Sequence, residues 1–176
     1  GIVPVAHAND GGGSIRIPAA ACGLVGLKPS RGRVSAGPGY GLPLMGLGIE
    51  GVVCRTVRDA AGALDAMHGP ELGDPFLMAP PAQPYAQAIG TPPRRLRIAV
   101  TTQFPGTQPA ARACVEAVEA TAAVLADLGH VVEWATPAYA HEAFLAATRT
   151  FWSSFLAAGV AGVAQALQIT VDQALA

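Results

Sequence analysis

The sequence has little charge and few cysteines, and both shortages narrow the classes of protein it can encode. Only 13% of its 176 residues are charged, with 11 Lys and Arg against 12 Asp and Glu. This near balance gives no sign of a basic surface for nucleic acid or of an acidic tail. The three cysteines, Cys22, Cys54 and Cys114, are widely spaced and form no CxxC pair. We therefore expect neither a disulfide framework nor a zinc site, and a cytoplasmic location fits best.

Long apolar runs are also missing. No stretch reaches about 18 uninterrupted apolar residues, so no membrane partner is expected. Apolar residues are nevertheless abundant, at 51% of the chain with a mean hydropathy of +0.38. This is enough to bury the core of one domain, or of one domain and part of another. The chain begins without Met and ends inside a predicted helix, and we expect it to be a piece of a longer protein.

Strands alternate with helices along the chain, which predicts an α/β fold. The expected strands are 2–8, 24–27, 96–100 and 131–134, and the expected helices are 18–22, 57–67, 109–128 and two within 141–176, broken near Gly159 to Gly162. Residues 35–51 are predicted to be a long loop. Residues 70–95 carry seven prolines and are interpreted as an excursion or linker with one helical turn. The chain thus divides into a core at 1–69, the excursion at 70–95, and a strand–helix–strand unit with further helices at 96–176.

The segment 10–20, Asp-Gly-Gly-Gly-Ser-Ile-Arg-Ile-Pro-Ala-Ala, has the clearest chemical pattern. Its three successive glycines lack a Cβ, so their N–H groups are free to converge on an anion or an oxyanion. Ser14 follows them directly, and acyl transfer needs such a hydroxyl beside pre-oriented donors.

Other interpretations fit the same residues. A tight strand-to-helix turn, in which Ser14 only caps the helix, explains the spacing equally well. Phosphate binding is less favoured, because the run lacks both the G-K-[ST] of a P-loop and the G-x-G-x-x-G of a dinucleotide-binding fold. The four histidines are scattered rather than at ligand spacing, so no metal is expected. His7 is interpreted as a strand-end residue.

Longer strings around this loop resemble the amidase signature family. They are Asp-Gly-Gly-Gly-Ser-Ile-Arg-Ile-Pro-Ala, then Cys-Gly-Leu-Val-Gly-Leu-Lys-Pro-Ser at 22–30, Gly-Arg-Val-Ser at 32–35 and Arg-Thr-Val-Arg-Asp-Ala-Ala at 55–61. The resemblance is strong over 2–69 and rests on element order alone over 96–137. Within the family, the first string is similar to amidases of the 6-aminohexanoate cyclic dimer hydrolase type. The resemblance implies a partial amidase signature domain, with a mixed sheet between helices (α/β/α), no cofactor and no metal.

The resemblance also implies roles for residues of the loop. Ser14 matches the nucleophile that forms the acyl-enzyme. The backbone N–H groups of Gly11, Gly12, Gly13 and Ser14 match the oxyanion hole.

Two charged residues and a missing base complete this comparison. Asp10 and Arg16 match positions that hold the loop in shape without reacting. The family's Ser–cis-Ser–Lys triad takes its lysine base and its relay serine from segments before the nucleophile, and this chain begins after them. Its one lysine, Lys28, lies in Gly-Leu-Lys-Pro, which is not the base position. We therefore expect residues 1–176 alone to have no amidase activity.

The implied activity is hydrolysis of a small carboxylic amide by a longer protein, in which the family suggests a homodimer. Two alternatives stay open: a non-catalytic relative that binds a ligand or partner through the same loop, and an amidotransferase subunit that passes ammonia to another substrate. Five residues of the long loop either contact the acyl part of the substrate or pack on the core: Tyr40, Leu42, Pro43, Leu44 and Met45.

Overall fold

The structure is a computed structural model that describes residues 2–39, 41–104 and 106–175. Gly1, Tyr40 and Ala176, which fall within the predictions above, lie outside the described residues. The chain forms two compact units that divide between Pro92 and Pro93, within the proline-rich segment. The three-part division at 69 and 95 stays a prediction.

The first unit is built on an antiparallel sheet of three strands, β1 (Val5–Asp10), β2 (Val25–Leu27) and β3 (Ile49–Cys54). β3 lies in the centre, and its Val53 is opposite both Ala6 of β1 and Gly26 of β2. β3 was not predicted as a strand, because the glycines around it favoured a loop up to residue 51. Its adjacent β-branched valines, Val52 and Val53, were the signal for a strand.

In the described part of this unit, three α-helices accompany the sheet, α1 (Arg16–Ala21), α2 (Val57–Met67) and α3 (Tyr85–Ala88), together with a 3-10 helix at Pro43–Gly46. The predicted capping of α2 is confirmed, since the Thr56 hydroxyl accepts a hydrogen bond from the Asp59 N–H at 3.0 Å. Asp65 of α2 in turn accepts from the backbone N–H of Tyr85, at 2.6 Å. The helical turn inside the proline-rich segment is therefore tied to α2.

The second unit contains the predicted strand–helix–strand, which is confirmed. β4 (Arg97–Val100) pairs in parallel with β5 (Val131–Trp134), and α4 (Arg112–Asp127) connects them. A parallel pair needs such a crossover, because a short turn cannot return the chain to the same end of the sheet. The α/β class is confirmed, with one antiparallel sheet and one parallel pair among the described residues.

The predicted break near Gly159 to Gly162 is wrong. One helix, α5 (His141–Leu167), runs through both glycines, and α6 (Val171–Leu175) follows it. A glycine inside a helix costs only about 1 kcal/mol relative to alanine, and α5 is rich in alanine, a strong helix former. The helix instead ends at Leu167, and its C-cap residue Gln168 adopts a left-handed conformation with φ of +55°.

By length and composition alone, α5 is the one helix in the described ranges that is long and apolar enough to cross a membrane. Its best window has a mean hydropathy of 1.3 and is 6% buried. Core helices of soluble proteins meet the same criteria, so the finding is weak evidence, and the absence of a membrane partner stays a prediction.

Candidate active site

The glycine-rich loop joins the end of β1 to the start of α1. Along it, Gly13 and Ile15 are buried, whereas Gly12 and Ser14 are exposed. Of the three glycines only Gly13 has a positive φ, +130°. A Cβ at Gly13 would also collide with the Ile17 side chain. Gly13 is thus the position of the loop at which a side chain is excluded by both conformation and space.

The Asp10 carboxylate organises the loop. It is 1% exposed and accepts backbone hydrogen bonds from Gly13 at 2.6 Å, from Ile15 at 3.3 Å and from Arg16 at 3.4 Å. The Arg16 guanidinium donates two more, from Nε to Oδ2 at 2.8 Å and from Nη2 to Oδ1 at 3.0 Å. Such a bidentate pair fixes both distance and orientation. The predicted loop-supporting residues are therefore in contact with each other and with the loop backbone.

These contacts keep Asp10 ionised. The Arg16 side chain holds the pKa of the Asp10 carboxyl far below its usual range, the backbone N–H groups lower it further, and burial opposes them. Asp10 in turn raises the pKa of Arg16. A carboxylate that binds a proton so weakly is a poor general base, so its role is to shape the loop.

The same contacts decide which backbone donors are left for a ligand. The Gly13 N–H is directed to Asp10 and is therefore engaged in the loop itself. Within the described residues, the N–H groups of Gly11, Gly12 and Ser14 have no acceptor. Three of the four predicted oxyanion donors are thus available, and they flank the one that holds the loop.

The Ser14 hydroxyl is exposed and makes no hydrogen bond with any residue that the structure describes. Lys28 donates from Nζ to the Pro29 carbonyl at 2.6 Å, so this ammonium is directed to a backbone oxygen. His7 pairs with Glu50 at 2.7 Å. Because His7 and Asp10 have opposite parity on β1, their side chains lie on opposite faces of the sheet. Neither Lys28 nor His7 is hydrogen-bonded to Ser14.

The proline-rich segment covers part of the long loop. Asp74 accepts a hydrogen bond from the Ser35 hydroxyl at 2.9 Å, and Phe76 lies under the Arg31 guanidinium at 5.5 Å. Between them is a cavity of about 30 Å³, which Leu42 also lines. Met45 is 63% exposed. Contact of Leu42 and Met45 with substrate stays a prediction.

Sequence reasoning missed the residues that seat the loop on the sheet. Ile15 is fully buried, and Gly26 and Gly51 lie against it. The signal was an apolar residue between two polar ones, Ser14 and Arg16. The described residues contain no group of three His, Cys, Asp or Glu side chains placed to hold a metal ion.

Comparison with known proteins relates this geometry to a family. The chain matches the family model described as Amidase over residues 1–173. A 6-aminohexanoate-cyclic-dimer hydrolase from Pseudomonas sp. (strain NK87) is 46% identical over 137 residues, which are 76% of this chain and 28% of that enzyme. The chain therefore spans little more than a quarter of that relative's length.

Solved structures give the same relationship. A 6-aminohexanoate cyclic dimer hydrolase complexed with substrate superposes with a TM-score of 0.72 at 45% identity, over 76% of this chain and 28% of the other. A bacterial aryl acylamidase of the amidase signature enzymes family superposes with a TM-score of 0.74 at 33% identity, over 96% of this chain and 34% of the other.

Proposed function

The chain belongs to the amidase family, and from this premise we propose that the full-length protein hydrolyses a small carboxylic amide through a serine acyl-enzyme. The observation that carries the proposal is the division of donors around Ser14. The Asp10 carboxylate accepts hydrogen bonds from the N–H groups of Gly13 and Ile15. Among the described residues, the N–H groups of Gly11, Gly12 and Ser14 have no acceptor, and they lie beside the exposed Ser14 hydroxyl. A simple helix cap does not need this arrangement, but an oxyanion hole does.

In the proposed reaction, the Ser14 oxygen attacks the amide carbonyl and forms a C–O bond, while its proton goes to the base. The carbonyl oxygen becomes an oxyanion, which the available N–H groups of the loop stabilise. Collapse breaks the C–N bond, and the nitrogen leaves with a proton as ammonia or an amine. Water then attacks the ester, releases the carboxylic acid and restores the Ser14 hydroxyl.

A serine hydroxyl needs a base to react at neutral pH. The resemblance supports a lysine base and a relay serine, contributed by parts of the protein outside these 176 residues. That these residues reach only 28% of a relative's length is consistent with this division. Residues 1–176 alone would then carry the nucleophile without its base.

The substrate class is proposed from the relatives. One is named for a cyclic dimer of 6-aminohexanoate and another as an aryl acylamidase. Both names describe enzymes that act on amides, one of them cyclic, so we propose a small linear or cyclic amide as the substrate.

A fluorophosphonate probe tests the proposal, because it labels a serine only when that serine is activated. We expect labelling of the full-length protein, loss of labelling in Ser14→Ala, and a fall in amide turnover of at least about 10³-fold in that variant. Residues 1–176 expressed alone should not be labelled. Labelling of neither full-length version would instead favour a non-catalytic binding protein.

Turnover in Ser14→Ala above a tenth of wild type would remove Ser14 from its role. Transfer of the released ammonia to a second substrate, rather than its release, would favour the amidotransferase alternative. Circular dichroism of both versions checks that the substitution leaves the fold intact.

A further inference from the structure

Ile15, the residue directly after the proposed nucleophile, is the anchor of the loop. It is 0% exposed, whereas Ser14 and Arg16 on either side of it are exposed. Its N–H donates to Asp10 and its carbonyl accepts from Ala19 in α1, so its backbone is held as well. The position of Ser14 therefore depends on how closely the Ile15 side chain packs against the sheet.

Two glycines of the sheet form the seat for this side chain. Gly26 of β2 lies opposite Val53, which shares a face of β3 with Gly51, so both glycines face the same side. A Cβ at Gly51 would lie 2.9 Å from Ile15 Cδ1. One at Gly26 would collide first with Ala19 Cβ of α1, and would lie 2.9 Å from the Ile15 carbonyl oxygen and 3.2 Å from Ile15 Cγ2. Neither glycine has a positive φ. Close packing, rather than backbone conformation, is what requires glycine at these positions.

We propose that Ile15, seated on Gly26 and Gly51, is a positioning residue that sets the depth of Ser14 and its N–H relative to the sheet; this rests on the proposed function of Ser14. Asp10 holds the loop through hydrogen bonds, and Ile15 holds it through packing against the sheet. A displacement of about 1 Å in a reacting group is enough to lower turnover by about a hundredfold. A group added between Ile15 and the sheet should therefore lower the rate of the chemical step.

The seat allows an exchange of one methyl group in the full-length protein. Gly51→Ala adds a methyl 2.9 Å from Ile15 Cδ1, and Ile15→Val removes that Cδ1. We expect Gly51→Ala to lower kcat by about tenfold to a hundredfold, with KM within about twofold of wild type, and to slow fluorophosphonate labelling of Ser14 in parallel. The double variant should recover most of both, because it lacks the Cδ1 atom that the added methyl would meet at 2.9 Å.

The matched control is Gly62→Ala in α2, where a Cβ would meet nothing within 4 Å. It should keep the wild-type kcat and labelling rate. Wild-type kcat and labelling in Gly51→Ala would overturn the proposal, as would a folded double variant no better than Gly51→Ala.

If Gly51→Ala does not fold, Ile15→Val decides alone, because it removes a single methyl from the seat. A severalfold loss of kcat at constant KM supports positioning, and an unchanged kcat overturns it. Failure of the proposed function has a different signature: wild type is not labelled, or Ser14→Ala still is.

Discussion

Glycines around the candidate site of the first unit and glycines in α5 of the second unit have different surroundings. In the first unit, Gly13, Gly26 and Gly51 lie so close to Ile15 or Ile17 that a Cβ would collide with them. In the second unit, Gly159 and Gly162 of α5 have nothing within 4 Å of the same position. The same residue type is thus required by packing around the candidate site and merely tolerated in the long helix. Substituting these glycines therefore tests whether close packing around the candidate site is needed for activity.

The largest effect is expected at Gly13. Gly13→Val places a β-branched side chain at φ of +130° and against Ile17, so the loop must rearrange and lose its hydrogen bond to Asp10. We expect kcat of the full-length protein to fall by at least about a hundredfold, comparable with the loss of an oxyanion donor. Steady-state kinetics on a small aryl amide measure it.

Gly159→Ala is the control for that substitution, since it adds a side chain in open space. Its kcat should match wild type. Near-normal kcat in Gly13→Val would indicate that the loop is a structural turn and that the oxyanion hole lies elsewhere.

The same contrast explains what sequence reasoning achieved. The loop residues are neighbours in the chain, so the local string from Asp10 to Arg16 was enough to single them out, and caps such as Thr56 act within one helical turn. The seat at Gly26 and Gly51 joins positions from three separate elements, which no local pattern connects. β3 was missed for a related reason, because its stability comes from pairing on both sides rather than from its own sequence.

The direction of the Gly13 N–H could also not be predicted from the sequence. The resemblance implied oxyanion donors at four successive residues, yet one of them, the Gly13 N–H, is directed to Asp10. Only the backbone geometry distinguishes it from its neighbours. The predicted break in α5 was wrong for a different reason. Glycine was treated as a helix breaker, although in an alanine-rich helix it costs too little to end the helix.

An effect of intermediate size is expected for the ion pair that holds the loop. Asp10→Asn replaces the buried carboxylate with a neutral amide and so removes the ion pair with Arg16. We expect a loss of about 1–3 kcal/mol in the free energy of unfolding. The comparison in the second unit is the exposed pair Arg97–Glu133, at 3.1 Å. Glu133→Gln should cost less than about 1 kcal/mol. Denaturant midpoints of the full-length variants measure both.

The pH dependence sharpens this test. The pKa of Asp10 is lowered in the folded state, so its contribution to stability is complete above the unfolded value of about 3.9 and is lost as the pH falls through the folded value. The stability difference between wild type and Asp10→Asn should therefore stay constant from pH 8 to about pH 5 and shrink only in stronger acid. A difference that already shrinks at pH 6 would contradict the assigned ion pair.

The smallest effect is expected at a glycine of α5 that makes no close contact. Gly162→Ala in α5 replaces a residue that is flexible in the unfolded chain with the strongest helix former, and the new Cβ meets nothing within 4 Å. We expect the free energy of unfolding to rise by up to about 1 kcal/mol, with kcat and fluorophosphonate labelling unchanged. Denaturant midpoints and kinetics of the same preparation measure the two quantities. A loss of stability would mean that α5 is packed in the full-length protein against a surface that these residues do not contain, so that its glycines, like Gly51, are required for close contact.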